Sequence, residues 1–149
     1  MSMLRGIIKE EVPDLVVGLS LGGFLAQKLR GVRKILINPD LHPSILLSSM
    51  MGEVEYLSPR KDGARSFLID EDIVRGYKAL EDVQFDGLDS REIGLTDGMF
   101  ADEDEMVRCG DEFEAHYPGR AHRYPGRHLP TFPEIRQYLL PLVTAGDMN

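Results

Sequence analysis

An apolar run, Leu15-Val16-Val17, leads directly into Gly18-Leu19-Ser20-Leu21-Gly22, and a helix-forming stretch, Gly23-Phe24-Leu25-Ala26-Gln27-Lys28-Leu29, follows at once. Strand, sharp turn and helix in that order constrain the fold more than any other feature of the chain. A serine at the centre of such a turn sits in a strained backbone conformation, with its hydroxyl presented at the top of a sheet. Small residues two places to either side let strand and helix approach closely, which assigns that role to Gly18 and Gly22. The pentapeptide alone is a weak signal, because the same letters suit a glycine-rich turn whose serine caps the helix. With these flanks, Ser20 becomes a candidate nucleophile.

Lys34-Ile35-Leu36-Ile37 reads as a second strand, ended by Asn38-Pro39. Continuous apolar strands separated by a helix indicate parallel strands covered on both faces. Leu4, Ile7 and Ile8 lie at helical spacing before Pro13. The first strand spans 14–19, and its helix spans 22–29, stopped near Gly31. Residues 40–63 read as loop with a short helix around 45–51. A helix over 70–80 has Asp70 as N-cap and Ile73, Val74, Tyr77 and Leu80 on one face. Residues 82–91 are polar and turn-rich. A strand over 98–101, a helix over 103–117, a strand over 121–124 and a helix over 133–143 complete the pattern, with Pro133 in the first turn of the last helix. The alternation predicts an α/β fold, a single domain over 1–149 with a mostly parallel sheet flanked by helices.

Composition excludes several classes. The 149 residues carry a net charge of −8, which disfavours nucleic acid and anionic membranes as partners. The single cysteine, Cys109, rules out an intrachain disulfide. No stretch approaches the ~20 apolar residues of a membrane span. Lys9, Glu10 and Glu11 break any signal-peptide core, so the expected location is cytoplasmic.

A serine nucleophile needs a base, and the base needs an acid to orient it. In α/β-hydrolases these follow in the order Ser, acid, His. The run Asp102-Glu103-Asp104-Glu105 follows the strand ending at Phe100-Ala101, and His128 follows the strand ending near Tyr124. Both lie past the C-terminal ends of strands, where sites form in such sheets. His42 comes out of order, His116 falls in a helix and His122 inside a strand, which leaves His128 as the base. The four carboxylates also suit a solvated helix N-terminus. They lack the ligand spacing and glycine of a calcium-binding loop.

These motifs together resemble the YqiA/YcfP-type family of bacterial α/β-hydrolase esterases, over residues 13–143. The resemblance is carried by Pro13-Asp14-Leu15-Val16-Val17-Gly18-Leu19-Ser20-Leu21-Gly22-Gly23, by Ile35-Leu36-Ile37-Asn38-Pro39, by Phe100-Ala101-Asp102-Glu103-Asp104-Glu105-Met106-Val107, and by Gly126-Arg127-His128. The family pattern of small residue, two variable positions, aspartate, two variable positions and valine maps onto Ala101, Asp104 and Val107, and so selects Asp104 rather than Asp102. The resemblance implies a catalytic Ser20, Asp104 and His128, with the Leu21 backbone N–H as an oxyanion donor. It also implies that residues 40–90 form a variable, cap-like segment that sets selectivity.

The family begins with a strand and a His-Gly loop that supplies a second oxyanion donor. Only 19 residues precede Ser20 here, and they contain neither. The expectation is therefore a fold truncated at its N-terminus, with turnover lowered roughly 10²–10³-fold. The bared edge of the 15–18 strand would favour a homo-oligomer. The expected activity is hydrolysis of a carboxylic ester or thioester, with a small-molecule ester as partner and no cofactor or metal. The second reading is a catalytically weak or inactive hydrolase remnant that serves as a binding or interaction module.

Overall fold

A computed structural model describes residues 1–146. The chain divides into two compact units, one of Met1–Asp40 with Phe85–Asn149 and one of Leu41–Gln84. The first unit is built on four strands, β1 (Leu15–Leu19), β2 (Arg33–Ile37), β5 (Thr96–Ala101) and β6 (Ala121–Tyr124), in the order β1-β2-β5-β6. Every pairing in this sheet is parallel, and Leu19, Ile37 and Met99 share one rung. Parallel neighbours need a crossover connection, and α2 (Leu21–Gln27) supplies it between β1 and β2.

Alternation along the strands sends side chains to two covered faces. On one face Ile35, Ile37, Met99, Ala101 and Tyr124 form a buried cluster, against which Leu15, Tyr138, Leu139, Leu142 and Val143 pack. The last four belong to the terminal helical run, α7 (Phe132–Glu134), a π turn (Ile135–Leu139) and α8 (Leu140–Ala145). The π turn has a covalent cause. Pro141 has no N–H to offer the carbonyl four residues back, and the Leu140 N–H reaches Ile135 instead. On the opposite face lie α2 and α6 (Gly110–His116). Phe113 of α6 is buried, stacks on Tyr117 at 4.5 Å and tilts against Phe100 at 5.2 Å. Double coverage explains why β2 reads as a continuous apolar run. It carries two charges: Arg33, at its start, donates to the Val143 carbonyl at 2.9 Å, and Lys34 is fully buried and paired with Glu92 of α5 (Ser90–Gly94) at 3.2 Å. Burial pushes the Lys34 ammonium below its ordinary value, and Glu92 partly offsets this.

β1 is one of the two edge strands, with β6 the other. Its sequence is apolar on both faces, yet Val17 is 46% and Leu19 38% exposed. Ahead of it, α1 (Ser2–Glu11) ends with Val12 in the left-handed region, next to Pro13.

The second unit carries α3 (Pro43–Ser49), an antiparallel pair β3 (Gly52–Glu55) and β4 (Ser66–Ile69), and α4 (Glu71–Asp82). The α4 cap is as expected, with the Asp70 carboxylate accepting from the Ile73 N–H at 2.9 Å. Glu81 accepts from the Ser44 N–H at 2.5 Å and from its hydroxyl at 2.8 Å, which ties α3 to α4. The β3–β4 hairpin corrects the reading of residues 40–63 as loop with one helix.

The approach of strand to helix at the first turn also differs from expectation. A Cβ on Gly18 would strike the Gly22 carbonyl and lie 2.9 Å from Ala26 Cβ, whereas a Cβ on Gly22 meets nothing within 4 Å. Of these two, Gly18 bears the steric demand and position 22 contributes its backbone; a Cβ on the next glycine, Gly23, would lie 3.0 Å from Pro39 Cβ and 3.2 Å from the Gly18 carbonyl oxygen. Gly18→Ala is therefore expected to cost about 1–3 kcal/mol through overpacking. Gly22→Ala should be neutral or stabilise by up to about 1 kcal/mol, as Ala replaces Gly within a helix. Denaturant midpoints of the two variants check this pair.

Candidate active site

β1 ends at Leu19 and α2 begins at Leu21, so Ser20 alone turns the chain. It does so at φ 52° and ψ −119°, a conformation that a side chain resists and that must be held from outside. Main-chain bonds hold it. The Ser20 N–H donates to Ile37 at 2.9 Å, and its carbonyl accepts from Phe24 at 3.1 Å and Asp40 at 3.2 Å. Leu21, the first residue of α2, has an N–H with no intrahelical acceptor.

Two strands away, β5 ends at Ala101 and a turn follows. Three carboxylates of the acidic run, Asp102, Glu103 and Glu105, are exposed, but Asp104 is only 3% exposed. Asp104 Oδ1 accepts from the N–H groups of Met106 at 2.8 Å and Val107 at 2.9 Å. This side chain–backbone turn gives the Asp104–Val107 spacing its physical meaning, and it competes with helix formation. It also accounts for a correction, since the helix expected over 103–117 starts only at Gly110.

Asp104 Oδ2 lies 2.9 Å from His128 Nδ1, and the His128 ring is as buried as its partner. An ionised carboxylate only accepts, so Nδ1 carries the proton in this pair, and in the neutral ring Nε2 then keeps its lone pair. The turn that brings His128 here follows β6. Gly126 is required in it, because a Cβ would lie 2.6 Å from the Tyr124 ring and 2.7 Å from the Glu134 carboxylate. The Asp104 and His128 turns are laced together. Asp102 N–H donates to Tyr124 at 3.0 Å and Glu103 N–H to Gly126 at 2.9 Å. Glu105 accepts from the His128 N–H at 3.2 Å and pairs with Arg127 at 3.3 Å. Its own N–H, then that of His128, hold the Glu105 carboxyl below its usual range. This role for Glu105 was hidden in the sequence, where nothing distinguishes it from its acidic neighbours.

Of the sequence candidates, Asp104 and His128 are thus in contact. Ser20 lies at the same C-terminal end of the sheet, bonded to Ile37 in the rung that contains Met99. Among the described residues no hydrogen bond joins its hydroxyl to the His128 ring. His42 precedes α3 in the second unit, His116 stacks on Phe85 with ring centroids 3.5 Å apart, and His122 bonds Asp97 at 2.9 Å near the start of β5. Among the described residues there is no cluster of His, Cys, Asp and Glu able to hold a metal, and no helix long and apolar enough to cross a membrane.

Solved structures similar to this one include an esterase domain and a lipolytic enzyme. The esterase domain of a Rhodothermus marinus protein superposes with a TM-score of 0.54 at 16% identity, covering 95% of this chain and 63% of that one. A structure from the metagenome-derived lipolytic enzymes LipS and LipT gives 0.57 at 14% identity, covering 99% of this chain and 70% of that one. The chain therefore has an α/β-hydrolase fold and spans about two thirds of the length of these structures. No curated protein sequence matches it. The profile of the uncharacterised protein family UPF0227 matches residues 1–86, more than half of the sequence, from α1 through the Ser20 turn and the second unit. The chain belongs to that family, the YqiA/YcfP-type family its motifs resemble.

Proposed function

We propose that the chain is a serine hydrolase acting on a carboxylic ester or thioester. The observation that carries this reading is the buried 2.9 Å bond between Asp104 and His128 Nδ1, at the sheet end where Ser20 turns the chain at positive φ. Asp104 orients the imidazole and stabilises it when it gains a proton. His128 Nε2 takes the Ser20 hydroxyl proton as Oγ attacks the carbonyl carbon. The carbonyl oxygen becomes an oxyanion, toward which the Leu21 N–H donates. Collapse expels the alcohol or thiol, which leaves with the proton held on Nε2. Water, deprotonated by the same nitrogen, then cleaves the acyl-serine and restores the hydroxyl. The two structural neighbours, an esterase domain and a lipolytic enzyme, support the ester class.

The test uses a fluorophosphonate probe and short-chain p-nitrophenyl esters. Stoichiometric labelling at Ser20, with ester turnover above the solution rate, is the expected outcome. A folded chain that neither labels nor turns over ester would overturn the reading.

A further inference from the structure

We propose that Asn38 is a positioning residue that sets the Asp104 turn and the His128 turn in register; this rests on the reading of those two side chains as the acid–base pair. Asn38 leaves β2 at φ 43°, in the left-handed region that asparagine tolerates better than most residues. Its backbone N–H makes a last ladder bond, to Met99 at 2.8 Å. Its side chain then continues the ladder, with Oδ1 accepting from the Ala101 N–H at 2.8 Å. Ala101 is the residue from which the acid turn departs.

The other end of the same amide grips the base turn. Asn38 Nδ2 donates to the His128 carbonyl at 2.7 Å and to the Tyr124 hydroxyl at 3.0 Å. The Tyr124 hydroxyl in turn donates to the Arg127 carbonyl at 3.2 Å. Asn38 is buried, and its amide is satisfied at both ends, as a buried polar group must be. The segment 37–40 thus touches all three elements of the site. Ile37 and Asp40 hold the Ser20 backbone, and Asn38 holds the acid and base turns.

The chemistry singles out asparagine. Aspartate fits the space but has no N–H, and would set a carboxylate against the His128 carbonyl. An apolar residue would leave the Ala101 N–H and the His128 carbonyl without partners, a cost larger than that of the bonds themselves. Among the described residues Asn38 makes no hydrogen bond to the His128 ring or the Asp104 carboxylate, so its influence passes through backbone placement. A displacement of about 1 Å in such a site is enough to cost about 100-fold.

The experiment compares Asn38→Gly and Asn38→Asp with the parent chain. Glycine removes the side chain and accepts the positive φ. Aspartate keeps size and the acceptor for Ala101 but loses the donor. Two readouts are taken on each, the rate of fluorophosphonate labelling at Ser20 and the downfield Nδ1 proton of His128 in NMR spectra. Labelling is expected to fall about 10- to 100-fold in both variants, with loss or broadening of the Nδ1 signal, while circular dichroism shows a cooperative folded state. Labelling within twofold of the parent with the Nδ1 signal intact, in whichever variant folds, overturns the proposal. So does a loss of labelling that only tracks the unfolded fraction. If the parent chain itself fails to label, the hydrolase reading falls, and the Nδ1 signal alone still decides whether Asn38 holds the Asp104–His128 pair.

Discussion

Ser20→Ala is expected to abolish fluorophosphonate labelling and to lower ester turnover by roughly 10⁴-fold or more, since removing a triad nucleophile leaves only binding and oxyanion stabilisation. The fold should survive. The bonds that hold position 20 run through its backbone, to Ile37, Phe24 and Asp40, and alanine keeps all of them. Alanine at φ 52° bears the same backbone strain as serine. Glycine does not, so Ser20→Gly should be equally inactive yet gain about 1 kcal/mol in unfolding free energy. The pair separates two meanings of the strained turn. A gain in stability with complete loss of activity is the signature of strain kept to present a nucleophile. Labelling that persists in folded Ser20→Ala would assign the reactive hydroxyl to another residue. Equal stability of the alanine and glycine variants would mean that the turn stores no strain.

The parts of the fold legible in the sequence are those governed by local pattern. β1 and β2 were readable because both are continuous apolar runs, Leu15-Val16-Val17 and Ile35-Leu36-Ile37, the pattern of parallel strands; β2 is covered on both faces, while β1 keeps the pattern although Val17 and Leu19 are exposed. The α4 start was readable because Asp70 caps its own neighbour, Ile73. The hairpin of β3 and β4 was not, since four residues a side are too few to declare a strand: Gly52-Glu53-Val54-Glu55 alternates but offers one apolar side chain, Val54, and Phe67-Leu68-Ile69 does not alternate at all. Lys34 shows another limit. Its charge looks foreign to a core strand, and the partner that makes burial tolerable, Glu92, lies 58 positions away. The site divides in the same manner. The Ser20 turn is local and was visible. Asp104 was visible only as a family spacing, and the cause of that spacing, two backbone N–H groups on one carboxylate oxygen, emerges only in three dimensions. The roles of Glu105 and Asn38 depend on bonds spanning 23 and 90 positions, beyond the reach of any local pattern.

Asp104→Asn is expected to lower ester turnover by about 10⁴-fold with little change in substrate binding. The substitution is nearly isosteric, and the amide oxygen can still accept from Met106 and Val107, so the turn remains intact. The amide nitrogen then faces His128 Nδ1 where Oδ2 stood. Two donors cannot share that contact, so the ring must release its proton from Nδ1 and carry it on Nε2. A protonated Nε2 presents a donor to the Ser20 hydroxyl instead of a base, and the hydroxyl keeps its proton. The imidazolium formed during attack also loses its counter-charge. Asp102→Asn is the control, because Asp102 is exposed and its described bond to the base turn runs through its backbone N–H to Tyr124; its turnover should stay within about twofold of the parent, as surface substitutions rarely propagate. The measurements are kcat and KM on a p-nitrophenyl ester, with ¹⁵N spectra of the His128 ring to read the tautomer. A switch from Nδ1–H to Nε2–H in Asp104→Asn, together with a fall in kcat at steady KM, is the expected result. Retained turnover in Asp104→Asn, or an equal fall in Asp102→Asn, would remove Asp104 from the role of orienting acid and with it the strongest support for hydrolysis at this site.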